Sequence, residues 1–118
     1  MVASARPWLW LAIAAVVSFI VVAALIPVDW QVRLGLHWLI EHFLGFFVLT
    51  TLVCFAWPRP MVVAAVLLPF ALLVEAAQMM TPDRVADPAT ALSAAAGVAV
   101  AALLADAVLA WRKSRRKA

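Results

Sequence analysis

Two ionisable side chains stand inside stretches that are otherwise as apolar as lipid, and both are of types that transfer protons. Glu75 lies near the end of the apolar run that begins at Met61, and His42 lies near the start of an earlier one. Carboxyl and imidazole groups are among the commonest general acids and bases in enzymes. Glu75 and His42 are therefore the candidate catalytic residues, with a hydrogen-bonded polar clamp between helices as the competing interpretation.

Four further polar residues are candidates for binding a ligand beside this pair. Gln78 follows Glu75 by three positions and shares its helix face. Arg84 would supply a guanidinium group, which pairs bidentately with phosphate or carboxylate. Glu41 and Asp87 complete the predicted binding set. Asp87 has a second interpretation as a helix N-cap, because it directly precedes Pro88.

Other chemistries fit the sequence less well. The string HWLIEH, residues 37–42, is one residue longer than the zinc motif HxxEH, and histidines five apart on a helix diverge by about 140°. Ser93 lies in an apolar helix and does not complete a Ser/His/Asp triad. The single cysteine, Cys54, excludes an internal disulfide and a CxxC motif. We therefore expect no metal site and no cofactor.

The elements that must position these residues are membrane helices. The chain of 118 residues is 69% hydrophobic, against roughly 45–50% for a soluble domain. It contains four apolar runs near the length of about 20 residues that crosses a bilayer, at about 8–26, 38–57, 61–80 and 89–111. The sequence predicts an all-α polytopic membrane protein, a single domain over residues 1–118 built as a bundle of four transmembrane helices.

The charges predict how this bundle is oriented. Residues 112–118 form a basic tail, RKSRRKA, and with Arg6 and Arg59 they place seven of the nine Lys and Arg residues on one side. Lys and Arg are enriched in cytoplasmic flanks, so both termini are expected in the cytoplasm and the polar residues at the opposite face. No aromatic residue interleaves with the tail's charges, which argues for anionic membrane lipid and against nucleic acid as its partner.

Small residues recur every four positions in the fourth run. Ser93, Gly97, Ala101 and Ala105 form a continuous ridge of the kind that lets membrane helices approach closely. The sequence leaves open whether the ridge contacts another helix of the same chain or a second copy in a homo-oligomer. Leucine is expected to disrupt folding at Gly97 and to be tolerated at Val98.

Two segments of the chain resemble a known family. These are EHFLGFFVL, residues 41–49, and VEAAQMMTPDRVADPATALSAAAGV, residues 74–98, and together they are similar to the VanZ-like family of small membrane proteins. The chain departs from the family pattern at Trp38 and Leu39, and at Thr90 and Ala94, where an Asp and an Asn are expected. The matching positions are His42, Phe43, Phe46, Glu75, Gln78, Pro82, Arg84, Asp87 and Gly97.

The resemblance implies a protein of the bacterial cytoplasmic membrane. The founding member of the family is associated with resistance to a glycopeptide antibiotic that acts at the cell envelope. The corresponding expectation is that the chain binds or acts on an envelope precursor or an anionic amphiphile at the extracytoplasmic face. Two alternatives are a structural or assembly subunit and a small proton-coupled exporter, although such exporters carry a glutamate in the first span, which here has no charge.

Overall fold

The described part of the chain folds into four α-helices. A computed structural model describes residues 7–25, 38–78, 80 and 88–117, and every regular element within these ranges is helical. The helices are α1 (Pro7–Leu25), α2 (Trp38–Ala56), α3 (Pro60–Gln78) and α4 (Pro88–Lys117). The predicted all-α class is confirmed.

Proline begins three of these helices. Pro7, Pro60 and Pro88 each occupy the first helical position, where the missing N–H would have had no partner in the helix and the fixed φ suits the first turn. At α3 the carbonyl of Arg59 accepts a hydrogen bond from the amide of Val63 at 3.0 Å. Residues 57–59 therefore connect α2 to α3 as a tight turn.

Three of the helices are long and apolar enough to cross a membrane. They are α2 over Leu39–Ala56, α3 over Pro60–Gln78, and α4 over Pro88–Arg116, while the apolar segment found in α1, Pro7–Val22, is shorter. Large apolar side chains such as Phe55, Leu73 and Leu103 are more than 60% exposed. A surface of this kind is expected where a protein faces lipid instead of water.

Helices α2 and α3 form an antiparallel hairpin. The rings of Phe46 and Phe70 meet with their centroids 6.0 Å apart. These two residues lie at similar distances along the chain from the turn at 57–59, so their contact fixes the register of the hairpin. Pro69 lies inside α3 on an exposed position, and the helix continues through it.

Helices α2 and α4 run parallel and share the most extensive interface in the bundle. The hydroxyl of Ser93 donates a hydrogen bond to the carbonyl of Leu39. One turn further along both helices, a Cβ atom added to Gly97 would collide with the carbonyl oxygen of Phe43 and would lie 3.1 Å from the amide nitrogen of Phe47. The small ridge therefore packs against α2 of the same chain.

The core corrects one expectation about α4. Leu49, Val63 and Val98 are each fully buried, one from each of α2, α3 and α4. Val98 therefore lies on the packed side of α4, between the ridge and Ala102. A fully buried valine leaves no room for the larger leucine, so the structure contradicts the expectation that leucine is tolerated at Val98.

Thr50 carries a buried hydroxyl without a hydrogen-bond partner among the described residues. Its neighbour Thr51 donates to the carbonyl of Phe47 at 2.8 Å. A buried hydroxyl that makes no hydrogen bond costs about 1–3 kcal/mol. We expect Thr50→Val, which keeps the shape and removes the hydroxyl, to raise the thermal unfolding temperature in detergent, whereas Thr51→Val should leave it unchanged or lower it. A lower unfolding temperature for Thr50→Val would show that this hydroxyl is satisfied in the folded protein.

Candidate functional site

The topology brings three helix ends together. Because α2 and α4 run parallel and α3 runs antiparallel to α2, the start of α2, the end of α3 and the start of α4 share one end of the bundle. Polar side chains of the described residues gather there within an otherwise apolar bundle, and we refer to them as the polar end: Glu41, His42, Glu75, Gln78, Thr90 and Ser93.

His42 and Glu75 lie at nearly the same depth in the bundle. The contact between Phe46 and Phe70 sets the hairpin register. His42 lies four residues from Phe46 toward the polar end, and Val74 lies four residues from Phe70 in the same direction. Glu75 is one residue beyond Val74, a rise of about 1.5 Å. The two candidate catalytic residues are therefore level with each other on neighbouring helices.

The direction of His42 follows from its spacing on α2. It precedes Phe46 by four residues and Leu49 by seven, which places all three on one helix face. Phe46 and Leu49 are buried, and His42 itself is half-buried. His42 thus extends the core-facing side of α2 toward the polar end.

On α3, Gln78 is the last member of a buried stripe. Leu67, Ala71 and Val74 precede it on the same face, and Gln78 is only 8% exposed. Glu75 follows Ala71 by four residues and is half-buried on the flank of this stripe. His42, Glu75 and Gln78 each take part in a hydrogen bond, ring contact or electrostatic interaction, as buried polar groups in a native fold do.

Glu41 points elsewhere around α2. Successive helix residues are rotated by about 100°, and α4 is contacted by the side of α2 that carries Leu39, Phe43 and Phe47. Glu41 lies roughly opposite that side, above Gly45, where an added Cβ would meet nothing within 4 Å. The structure thus separates Glu41 from the α4 side of the polar end, although it is half-buried and makes an interaction of its own.

Two residues of α4 join the polar end although the sequence did not single them out as site residues. Thr90 is only 6% exposed, and Ser93 spans the interface with α2 through its bond to Leu39. Their spacing from Gly97, seven and four residues, puts both on the ridge face. That spacing is the signal that could have identified Thr90 as a buried polar residue.

Two predicted binding residues, Arg84 and Asp87, lie outside the described residues. The start of α4 at Pro88 agrees with proline in the first helical position. Capping of α4 by Asp87 and contact of Arg84 with a ligand stay predictions.

The described residues include no group of three or more His, Cys, Asp or Glu side chains that could hold a metal ion. The polar end instead offers two carboxyl groups, an imidazole, an amide and two hydroxyls, a set suited to hydrogen bonding and proton transfer. Comparisons with protein-family models, with curated proteins and with solved structures gave no match. The resemblance to VanZ-like proteins therefore rests on the sequence segments 41–49 and 74–98 alone.

Proposed function

We propose that the chain is a VanZ-like protein of the bacterial cytoplasmic membrane that binds an anionic amphiphile, such as an envelope precursor or lipid, at its polar end. The head group of the ligand would meet Glu75, His42 and Gln78, and Arg84 would pair with its phosphate or carboxylate. Its apolar part would stay in the surrounding lipid. A role in antibiotic resistance follows from the same proposal, through the family association alone.

The observation that carries the proposal is the burial of polar side chains at one end of a lipid-facing bundle. Gln78 and Thr90 are more than nine-tenths buried, and Glu75 and His42 are half-buried beside the core. A strongly charged side chain within a span costs roughly 2.5–3.5 kcal/mol on insertion scales, so such residues normally mark functional sites. A clamp between helices could be built from Ser or Asn at lower cost.

The interactions of the same residues favour one alternative. His42, Glu75 and Gln78 all have partners, and Ser93 fastens α4 to α2. A structural or assembly subunit would use its polar end in this way, to fix the helix ends without binding a ligand. The two functions differ in whether the carboxylate of Glu75 is needed once the protein has folded.

The proposed orientation has four transmembrane spans, with both termini in the cytoplasm and the polar end outside. In a Cys54→Ser background, a cysteine placed at Asp83 should react with a membrane-impermeant thiol reagent in intact cells. One placed at Arg59, in the α2–α3 turn at the opposite end, should react only after the cells are opened. The reverse labelling pattern would place the polar end in the cytoplasm and contradict the proposed site of action.

Mass spectrometry of molecules that co-purify with the protein tests the proposed ligand class. Protein extracted with a mild detergent should carry an amphiphile with a phosphate or carboxylate head group, enriched over its share in the total membrane extract. Asp106→Asn, which removes an exposed carboxylate near the other end of α4, should retain it to the same extent. Bound molecules that match the composition of the bulk membrane would contradict the proposal.

A further inference from the structure

The C-terminal end of α4 carries a second polar surface, at the opposite end of the bundle from Glu75. Helix α4 continues to Lys117, 30 residues in all, or about 45 Å at 1.5 Å per residue, whereas the hydrocarbon core is about 30 Å thick. The basic segment is therefore a rigid extension of the membrane helix. Its described basic side chains, Arg112, Lys113, Arg115 and Arg116, are all exposed.

The three arginines continue the packed face of α4. Eighteen residues are five full helical turns, and each arginine follows a buried residue by that interval: Arg112 follows Ala94, Arg115 follows Gly97, and Arg116 follows Val98. The side of α4 that packs inside the membrane thus continues, beyond the ends of the other helices, as three guanidinium groups. We refer to Arg112, Arg115 and Arg116 as the arginine row. Arg59, exposed in the α2–α3 turn, lies at this same end.

Two tryptophans set the depth of this arginine row. Residues of α2 and α4 that face each other are 54 positions apart in the chain, as Leu39 and Ser93 and as Phe43 and Gly97 are. The same offset brings Trp111 level with Trp57, and tryptophan concentrates at the boundary between hydrocarbon and head groups. Residues 112–116 lie about 1.5–7.5 Å beyond that level, at the depth of a head-group layer that is about 5–7.5 Å thick.

Arg115 is held at that depth by its own helix. Its guanidinium carbon lies 5.2 Å from the centroid of the Trp111 ring, within the range of a cation–π contact. A guanidinium group that stacks on an indole keeps its N–H donors available for a planar, bidentate bond to phosphate. Of the anionic groups that could meet the row, lipid phosphates are the ones that reside at this depth.

From this placement we infer that Arg112, Arg115 and Arg116, together with Arg59, form a binding site for the head group of an anionic phospholipid. The site lies beneath the packed side of α4, in the leaflet at its C-terminal end. It is separate from the polar end and does not depend on the proposed function. A lipid bound there would join the extension of α4 to the α2–α3 turn.

Native mass spectrometry of the full chain, released from lipid nanodiscs, tests the site. In discs that contain both phosphatidylcholine and phosphatidylglycerol, wild-type protein should retain phosphatidylglycerol in preference to phosphatidylcholine. Each basic residue near an anionic membrane raises the affinity for that membrane by a factor of about five. Combined replacement of Arg112, Arg115 and Arg116 by Gln should therefore lower retention by about 100-fold, and equal retention by this variant and wild type would overturn the inference.

Two further comparisons distinguish a specific lipid-binding site from non-specific electrostatic attraction. Arg115→Gln and Lys113→Gln each remove one charge from the same segment, and the site requires a clearly larger loss for Arg115→Gln. Replacing all three arginines by Lys keeps the charge and removes the bidentate geometry, so retention should still fall several-fold. Equal effects within the first pair, or undiminished retention in the lysine variant, would show that only net charge matters.

A competing occupant is tested in the same preparation. If a single-stranded RNA oligonucleotide bound wild-type protein and displaced phosphatidylglycerol, the arginine row would be a site for a soluble polyanion, and the lipid assignment would be wrong. With the lipid site intact, the oligonucleotide should leave phosphatidylglycerol retention unchanged.

Discussion

Gly97→Ala should destabilise the folded protein by about 1–3 kcal/mol, the range for an extra methyl group forced into a packed interior. The added Cβ would collide with the carbonyl oxygen of Phe43 and lie 3.2 Å from its carbonyl carbon. Both atoms belong to the backbone of α2, which cannot turn aside as a side chain can. The measurement is the unfolding temperature and the folded yield in detergent, and Gly97→Leu should lower both further.

The other glycine of the described helices provides the matched control. Gly45 lies in α2, where an added Cβ would meet nothing within 4 Å, and alanine favours a helix over glycine by up to about 1 kcal/mol. Gly45→Ala should therefore be neutral or stabilising. Equal tolerance of alanine at both positions would show that α4 does not approach α2 closely at Gly97.

Glu75→Gln should abolish retention of the amphiphile bound at the polar end while leaving the protein folded. The amide keeps the shape and the hydrogen-bonding capacity of the side chain and removes its charge and its acid chemistry. Glu75→Leu removes the hydrogen bonds too and should destabilise the fold by about 1–3 kcal/mol, because its partners become unsatisfied. Ligand retention and thermal unfolding, measured on the same preparations, separate the two effects.

The outcome for Glu75→Gln decides between ligand binding and a structural clamp. A folded variant with full ligand retention would remove Glu75 as a charge partner, acid or base, and would support the assembly-subunit alternative. Asp106→Asn loses the same charge from an exposed position and should change neither measurement. A parallel loss in Asp106→Asn would point to net charge instead of the polar end.

Helix type and position could be read from this sequence because apolar runs of this length have few other solutions. The predicted runs at about 38–57 and 61–80 correspond to α2 and α3 within two residues at each end, and the prolines at positions 60 and 88 mark helix starts. The start of α4 was likewise within one residue. The helix itself continues beyond the predicted span, to Lys117, since charged residues can continue a helix into water.

The sequence could not show which sides of the helices are buried. Lipid tails are as apolar as leucine, so the hydrophobic contrast that identifies a core-facing stripe in a soluble helix is missing. Val98, fully buried, and Leu103, 62% exposed, look alike on hydropathy. Only the small ridge, which signals close approach by size, gave the right side of α4.

The part of the candidate site that could be predicted consists of residues whose insertion into a membrane costs much free energy. His42 and Glu75 stand out by that cost, and the structure places them at one level on neighbouring helices. Thr90 did not stand out, because a hydroxyl is cheap enough to occur anywhere in a span. The facing direction of Glu41, away from α4, required the contacts of Leu39 and Phe43.

The parallel pairing of α2 with α4 has a consequence for biogenesis. The contacting residues of the two helices lie 54 residues apart in the chain, with the whole of α3 between them. The hairpin of α2 and α3 is therefore synthesised before α4, while the side of α2 that packs against Gly97 still has no helix beside it. Until the 30 residues of α4 leave the ribosome, the side of α2 that carries Leu39 and Phe43 faces lipid or an insertase. Chains that stop before α4 would therefore leave the side of α2 that carries Leu39 and Phe43 without its helix partner.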